Sequence, residues 1–198
     1  MQRVTVYLAG PEVFLANAAE IGERKKAICA QHGFEGLFPL DQDIDPAGIG
    51  PGEVARRIYA ANCALMRRAD VIIANMTPFR GPSMDVGTAF EMGFMRALGK
   101  PVFGYSNVDH GYRERTRAFF VVGVPAVPAA DNPFGVSSDP DGLAIEDFGL
   151  HDNLMLDCAV QESGAIVVAA SAPAAARYTS LVAFERCVEL AAALRDAT

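Results

Sequence analysis

Apolar and polar positions along the chain follow two rhythms. Short, β-branched or aromatic runs read as strands buried on both faces. They are Val4-Thr-Val-Tyr-Leu-Ala9, stopped by Gly10-Pro11, then Phe34-Glu-Gly-Leu-Phe-Pro39, Val71-Ile-Ile-Ala74 and Pro101-Val-Phe-Gly-Tyr105. Between them the spacing turns helical. One helix begins at or after Phe14 and extends to about His32, where Gly33 closes it. A second covers Gly52 to Arg68, with Ile58, Ala61, Leu65 and Arg68 spaced for one face. A third runs from Asp85 to about Leu98 and ends on Gly99-Lys100-Pro101, a glycine followed by a proline. His151 opens a further helix ending near Gly164, and Ala165-Ile-Val-Val-Ala169 reads either as a fifth strand or as its continuation. Tyr178 to Leu194 is a last amphipathic helix, with Leu181, Phe184, Val188, Ala191 and Ala192 at helical spacing.

Strands alternating with helices predict an α/β fold of the flavodoxin type: a doubly wound, mainly parallel five-stranded sheet with helices on both faces. The length of 198 residues suits a single domain, 1–198. Residues at about 106–150 fit neither rhythm. Pro125, Pro128, Pro133 and Pro140, with Asp and Gly between them, predict a loop-rich insertion there. Within it Arg113-Glu-Arg-Thr-Arg117 reads either as a solvated helix face or as a loop over the site.

Composition narrows the function classes. Hydrophobic residues make up 51% of the chain and charged residues 21%, a globular balance. A net charge of -7 argues against a nucleic-acid backbone or an anionic membrane as partner. Cys29, Cys63, Cys158 and Cys187 are widely spaced, without Cys-x-x-Cys, which favours free thiols over a disulfide or zinc framework. The first strand begins without a signal-peptide core and no run approaches the roughly 20 apolar residues of a membrane span, so a soluble, cytoplasmic protein is expected. Asp41-Gln-Asp43-Ile-Asp45 opens like a calcium loop, but Pro46 stands at its sixth position and Gly52 at its twelfth, which excludes one. An acidic loop remains, in which Asp41 is a candidate to face the site.

The candidate chemistry lies between Ala69 and Leu98. Thr77-Pro-Phe-Arg-Gly-Pro-Ser83 breaks the strand before it, and the helix that follows carries Glu91 among Ala89, Phe90, Met92, Gly93, Phe94 and Met95. A carboxylate in that setting loses hydration and needs a partner. Asp85 sits at the helix start, where acids are favoured. One reading is purely structural, an N-cap Asp and a Glu that reaches a buried arginine. The other is a site at the strand's carboxyl end, where parallel α/β folds gather ligands. The Gly10-Pro11 turn belongs at the same end, with backbone able to approach a ligand, whereas Tyr7 by itself reads equally as a core aromatic.

Three segments in order resemble the nucleoside 2-deoxyribosyltransferase family: Tyr7-Leu-Ala-Gly-Pro-Glu-Val-Phe14, Asp85-x-Gly-Thr-x-x-Glu91-Met-Gly93 and Asn153-Leu-Met155. The resemblance covers nearly the whole chain. It implies that Glu91 is the nucleophile that forms a covalent glycosyl-enzyme with deoxyribose, and that a second nucleobase then displaces it. Tyr7 would hydrogen-bond and orient Glu91, Asp85 would bind a sugar hydroxyl or handle the proton on the departing base, and Phe14 would pack against the base. Asn153, followed by Met155, matches a segment that in the family reaches the neighbouring subunit's site and binds the 5'-hydroxyl. A homo-oligomer is therefore implied, with 2'-deoxynucleosides and free nucleobases as the small-molecule partners. Neither a metal nor an organic cofactor is required.

One position departs from the family pattern. Asn62 stands where well-known members carry an aspartate, and an amide donates and accepts but does not shuttle a proton at neutral pH. The loop containing Arg80 and Ser83 is a candidate wall of the base pocket, and Gly10 a candidate backbone contact. Related N-hydrolases of 2'-deoxynucleoside 5'-monophosphates share the fold and the glutamate. They supply the alternative reading, for which Arg80 and Ser83 are available phosphate contacts, whereas Asn153 favours a free 5'-hydroxyl. A non-catalytic nucleotide sensor is the third, against which Glu91, Tyr7, Asp85 and Asn153 speak together.

Overall fold

The computed structural model describes residues 3–42, 44–120 and 135–197. In chain order the elements are β1 (Val4–Ala9), α1 (Ala18–Gln31), β2 (Phe34–Leu37), α2 (Pro51–Arg68), β3 (Val71–Asn75) and α3 (Val86–Ala97). There follow β4 (Val102–Ser106), α4 (Tyr112–Phe119), β5 (Gly135–Ser138), β6 (Ala144–Glu146), α5 (Leu154–Gln161), β7 (Val168–Ala169) and α6 (Val182–Asp196). The central sheet has five strands in the order β2-β1-β3-β4-β7, and every pairing is parallel. Helices α1 and α6 pack together on one face, while α2, α3 and α5 pack in succession on the other. The expected flavodoxin-like α/β architecture is what forms.

The strand runs explain this directly. Val6 to Ala9 and Ile72 to Ala74 are fully buried, as β-branched and small side chains must be when helices cover both faces. Asp85 caps α3, and the far end of that helix closes on Gly99 in the left-handed conformation (φ 72). There the Gly99 N–H donates to Arg96 O and the Lys100 N–H to Met95 O, satisfying carbonyls that the helix leaves open.

Several expected boundaries move. A short 3-10 turn, Pro11–Phe14, intervenes before α1. The fifth strand is real but reduced to Val168–Ala169 at the sheet edge. Helix α6 begins at Val182 and not at Tyr178; the Tyr178 hydroxyl donates to Pro78 O at 2.6 Å. Ile58 does not share the buried face of Leu65. It is half exposed, and the core-facing positions of α2 are Cys63, Leu65 and Met66.

The region expected to be loop-rich contains helix α4 and an antiparallel hairpin, β5–β6, in its described part. Residues 121–134, with Pro125, Pro128 and Pro133, lie outside the described residues, as does Asp43. The arginine-rich stretch is neither a wholly solvated face nor a loop over the site. It is α4, and Arg115 on it is nearly buried against Asp152. Among the described residues no helix is long and apolar enough to cross a membrane.

Candidate active site

Parallel register sets the carboxyl ends of β1, β2 and β3 along one edge of the sheet: Tyr7 pairs with Leu37, and Ala9 with Ala74. The segments leaving that edge line a cavity of about 490 Å³. From the turn after β1 come Gly10, Val13 and Phe14; from the loop after β2 come Pro39, Leu40, Gln42, Ile44 and Pro46. Helix α2 adds Val54, Ile58 and Asn62, and α3 adds Asp85, Gly87, Thr88 and Glu91. Its walls are thus largely apolar, with the amides of Gln42 and Asn62 and the carboxylates of Asp85 and Glu91 among them.

Glu91 meets a tyrosine there and not an arginine. The Tyr7 hydroxyl donates to Glu91 Oε1 at 2.6 Å, a length typical of an O–H bonded to a carboxylate. Tyr7 is fully buried, so both readings of it hold at once: a core aromatic whose hydroxyl reaches the cavity-lining Glu91. The Glu91 carboxyl is pushed up to about 7, chiefly by burial, which outweighs the lowering by the Tyr7 hydroxyl, with the Asp85 charge adding to the rise. Burial, and then the Glu91 charge, drive the Tyr7 phenol far above its ordinary range, so it stays a donor. A carboxylate with little hydration, one oriented donor and access to a cavity has the setting that nucleophilic or acid–base chemistry requires.

Asp85 combines a structural and a chemical position. Its Oδ2 accepts from the Thr88 N–H at 2.8 Å and the Thr88 hydroxyl at 2.9 Å, which caps α3 while the residue lines the cavity. Asn62 faces the cavity from α2, and an amide at this place can bind a base edge.

The turn carrying Gly10 and Phe14 is held from beneath by Glu12. Its Oε1 accepts from Lys25 Nζ at 3.1 Å, Asn75 Nδ2 at 2.9 Å and the Tyr105 hydroxyl at 2.7 Å. Glu12 and Lys25 are both essentially inaccessible to solvent. A Cβ built on Gly10 would lie 1.9 Å from Glu12 Oε2 and 2.7 Å from Asn75 Cβ, so the closeness of this packing requires glycine. Above the turn Phe14 is 59% exposed and stacks on Phe79, with ring centroids 5.4 Å apart. The Arg80 guanidinium lies over both rings, at 4.6 Å from Phe79 and 5.3 Å from Phe14.

Other expected residues lie apart. Arg80 and Ser83 do not line the cavity; Arg80 instead backs Phe14. Asp41 is turned to Lys26 Nζ, at 2.7 Å, and to the Phe38 N–H, at 2.9 Å. Asn153 and Met155 sit at the start of α5 and are not among the residues lining the cavity of their own chain. Asn153 caps that helix by accepting from the Met155 N–H at 3.1 Å, while Met155 is 72% exposed. Cavity residues missed in the sequence include Gln42, Ile44, Val54 and Ile58; the signal for the first two was their place in the loop after β2, at the carboxyl edge. Among the described residues no group of three or more His, Cys, Asp or Glu side chains gathers as a metal site. The four cysteines are free thiols.

Comparison with known proteins bears on the family and the fold. The family profile described as Nucleoside 2-deoxyribosyltransferase matches residues 6–155. An uncharacterized protein of Schizosaccharomyces pombe is 35% identical over 167 residues, covering 82% of this chain and 79% of its own. The 2-desoxiribosyltransferase from Leishmania mexicana is 30% identical with a TM-score of 0.51, over 77% of this chain and 85% of that structure. A conserved protein from Enterococcus faecalis, 17% identical with a TM-score of 0.52, covers 96% of this chain and 99% of its own and shares the fold.

Proposed function

Because the chain belongs to the nucleoside 2-deoxyribosyltransferase family, we propose that it transfers 2-deoxyribose from a 2'-deoxynucleoside to another nucleobase through Glu91. The observation that carries this reading is the 2.6 Å bond from a buried tyrosine to a cavity-facing, poorly hydrated glutamate. Glu91 attacks the anomeric carbon as the glycosidic C–N bond breaks, and the bonding pair leaves with the base, which takes up a proton. Oxocarbenium character develops on the sugar and is met by the carboxylate, and deoxyribose lacks the 2'-hydroxyl that would disfavour it. The glycosyl ester is then displaced by a ring nitrogen of the incoming base, which loses its proton and regenerates the Glu91 carboxylate.

In this scheme Asp85 binds a sugar hydroxyl or carries the proton, Phe14 packs against the base and Asn62 binds its edge. Gly10 gives the sugar close access to backbone. The reading assigns Asn153 and Met155 to the cavity of a neighbouring copy in a homo-oligomer, in keeping with the exposure of Met155. Mixing Glu91→Ala with Asn153→Ala protein should then restore activity that neither has alone.

The test is chromatography of deoxyinosine, and separately of thymidine, incubated with the protein with and without adenine or cytosine. A new deoxynucleoside formed only with acceptor base supports transfer. Free deoxyribose, or reaction confined to 5'-monophosphates, would replace transfer with hydrolysis. Absence of any reaction would favour a sensor.

A further inference from the structure

Asp85 stands at the end of an irregular stretch, and what holds that stretch decides where its carboxylate lies. Between β3 and α3 the chain makes a tight turn, closed by the Phe79 N–H to Ser83 O at 2.9 Å, with Arg80 in the left-handed conformation (φ 56). Three side chains from the C-terminal half of the chain grip this turn. Tyr178 donates to Pro78 O at 2.6 Å, Arg115 Nε donates to Pro82 O at 2.8 Å, and Asp152 Oδ2 accepts from the Met84 N–H at 3.0 Å.

The last of these bonds falls on the residue immediately before Asp85. Asp152 is itself over-determined: it is 1% exposed, pairs with Arg115 Nη2 at 3.1 Å, and accepts from the Asn153 N–H through Oδ1 at 2.8 Å. Asp157 accepts from the N–H groups of His151 and Asp152, at 2.9 and 2.8 Å, which fixes the turn carrying it. A buried ion pair of this kind is a poor device for stability alone, since desolvation offsets most of its attraction. Its geometry is specific, however, and one carboxylate joins the peptide before Asp85 to the peptide of Asn153.

We infer that Asp152, oriented by Arg115, is a positioning residue for Asp85, setting the place of the catalytic carboxylate through the Met84 peptide. This rests on the proposed role of Asp85 in deoxyribosyl transfer. A displaced catalytic group of otherwise intact chemistry lowers turnover steeply while binding survives.

The experiment compares Asp152→Ala, Asp85→Ser and the double variant in the intact protein; serine keeps the N-cap of α3 and deletes the carboxylate. Asp152→Ala should lower kcat at least about tenfold, and because Asp152 also holds the Asn153 peptide, any change in KM for the deoxynucleoside is read separately from that loss. In the Asp85→Ser background the same change should cost less than about twofold, because its route of action is already gone. Unchanged kcat in Asp152→Ala, or losses that multiply in the double variant, would overturn the assignment. Arg115→Gln, which keeps the Asp152–Met84 bond, should show the same pattern in weaker form and serves if Asp152→Ala does not fold. Hydrogen exchange gives a readout independent of the reaction. Exchange over residues 82–88 should quicken in the variant while β1 and β3 are unaltered, and unaltered exchange over 82–88 overturns the tie. Absence of base exchange in the unsubstituted protein would overturn the proposed reaction instead, an outcome that the control reports by itself.

Discussion

The phenol of Tyr7, buried on β1, donates to Glu91 Oε1 on α3 at 2.6 Å across 84 residues of sequence. That bond favours the ionised glutamate, against the burial that disfavours it. Tyr7→Phe should therefore raise the Glu91 pKa above its value of about 7. The acid limb of the rate profile should move to higher pH by about one unit, with turnover reduced roughly 10- to 100-fold. A pH–rate series on both proteins measures this, and a limb that moves the other way contradicts the assigned bond.

Glu91 also predicts a dependence of stability on pH. Its folded pKa of about 7 exceeds that of an ordinary glutamate, so between about 4.5 and 7 the folded state holds a proton that the unfolded chain has released. Stability should fall as pH rises through that window and level off above it. Glu91→Gln removes the titration while retaining an acceptor for Tyr7. It should match the parent protein near pH 4.5 and exceed it at pH 8 by up to about 3 kcal/mol, with activity lost. Urea unfolding at the two pH values is the measurement, and an equal gap at both would assign the effect to packing.

Asp85→Asn separates charge from capping. Asparagine is as good an N-cap as aspartate, so thermal stability should change by less than about 1 kcal/mol. Removal of the Asp85 charge eases ionisation of Glu91. The acid limb should shift to lower pH, opposite to Tyr7→Phe, while kcat should drop if Asp85 has the proposed role of sugar contact or proton carrier. A thermal melt beside the pH–rate profile distinguishes the two effects.

Gly10→Ala tests the support under the turn. The new Cβ would displace Glu12, whose carboxylate holds Lys25, Asn75 and Tyr105. Disturbing a buried charged network should cost about 2–4 kcal/mol, a fall in melting temperature of roughly 5–15 °C. A melting temperature within about two degrees of the parent would show that the turn yields at little cost.

The strands and the order of the fold were legible because β-branched runs such as Val71 to Ala74 have no other stable use between two helical layers. Glu91 and Asp85 were legible for a different reason, an acid among apolar neighbours and an acid at a helix start. What escaped detection depends on contacts distant in sequence. Nothing local marks Glu12 and Lys25 as a buried pair 13 residues apart, or Arg115 as the partner of an aspartate 37 residues later. Periodicity placed Ile58 with Leu65, but a helix beside a cavity presents an apolar residue to the ligand space as readily as to the core. The edge strand β7 was ambiguous because its two residues carry little signal. The α4 arginines offered a solvated face or a loop because charge is usually exposed, and the burial of Arg115 is decided by partners that no local pattern marks, Asp152 and the Pro82 and His110 carbonyls.

The position of β1 in the sheet has a consequence for how the chain is made. It lies between β2 and β3, so its second edge stays open until the helix α2 and then β3 have been synthesised. At roughly 5–20 residues per second that interval lasts on the order of several seconds. During it an apolar strand with unpaired backbone groups is a template for pairing with another nascent chain. Tyr7 precedes Glu91 by 84 residues, and its hydroxyl meets Glu91 only after α3 has docked. A chain in which the Tyr7–Glu91 bond has formed has therefore closed the open edge of β1, so that bond is a record of correct assembly from β1 through α3.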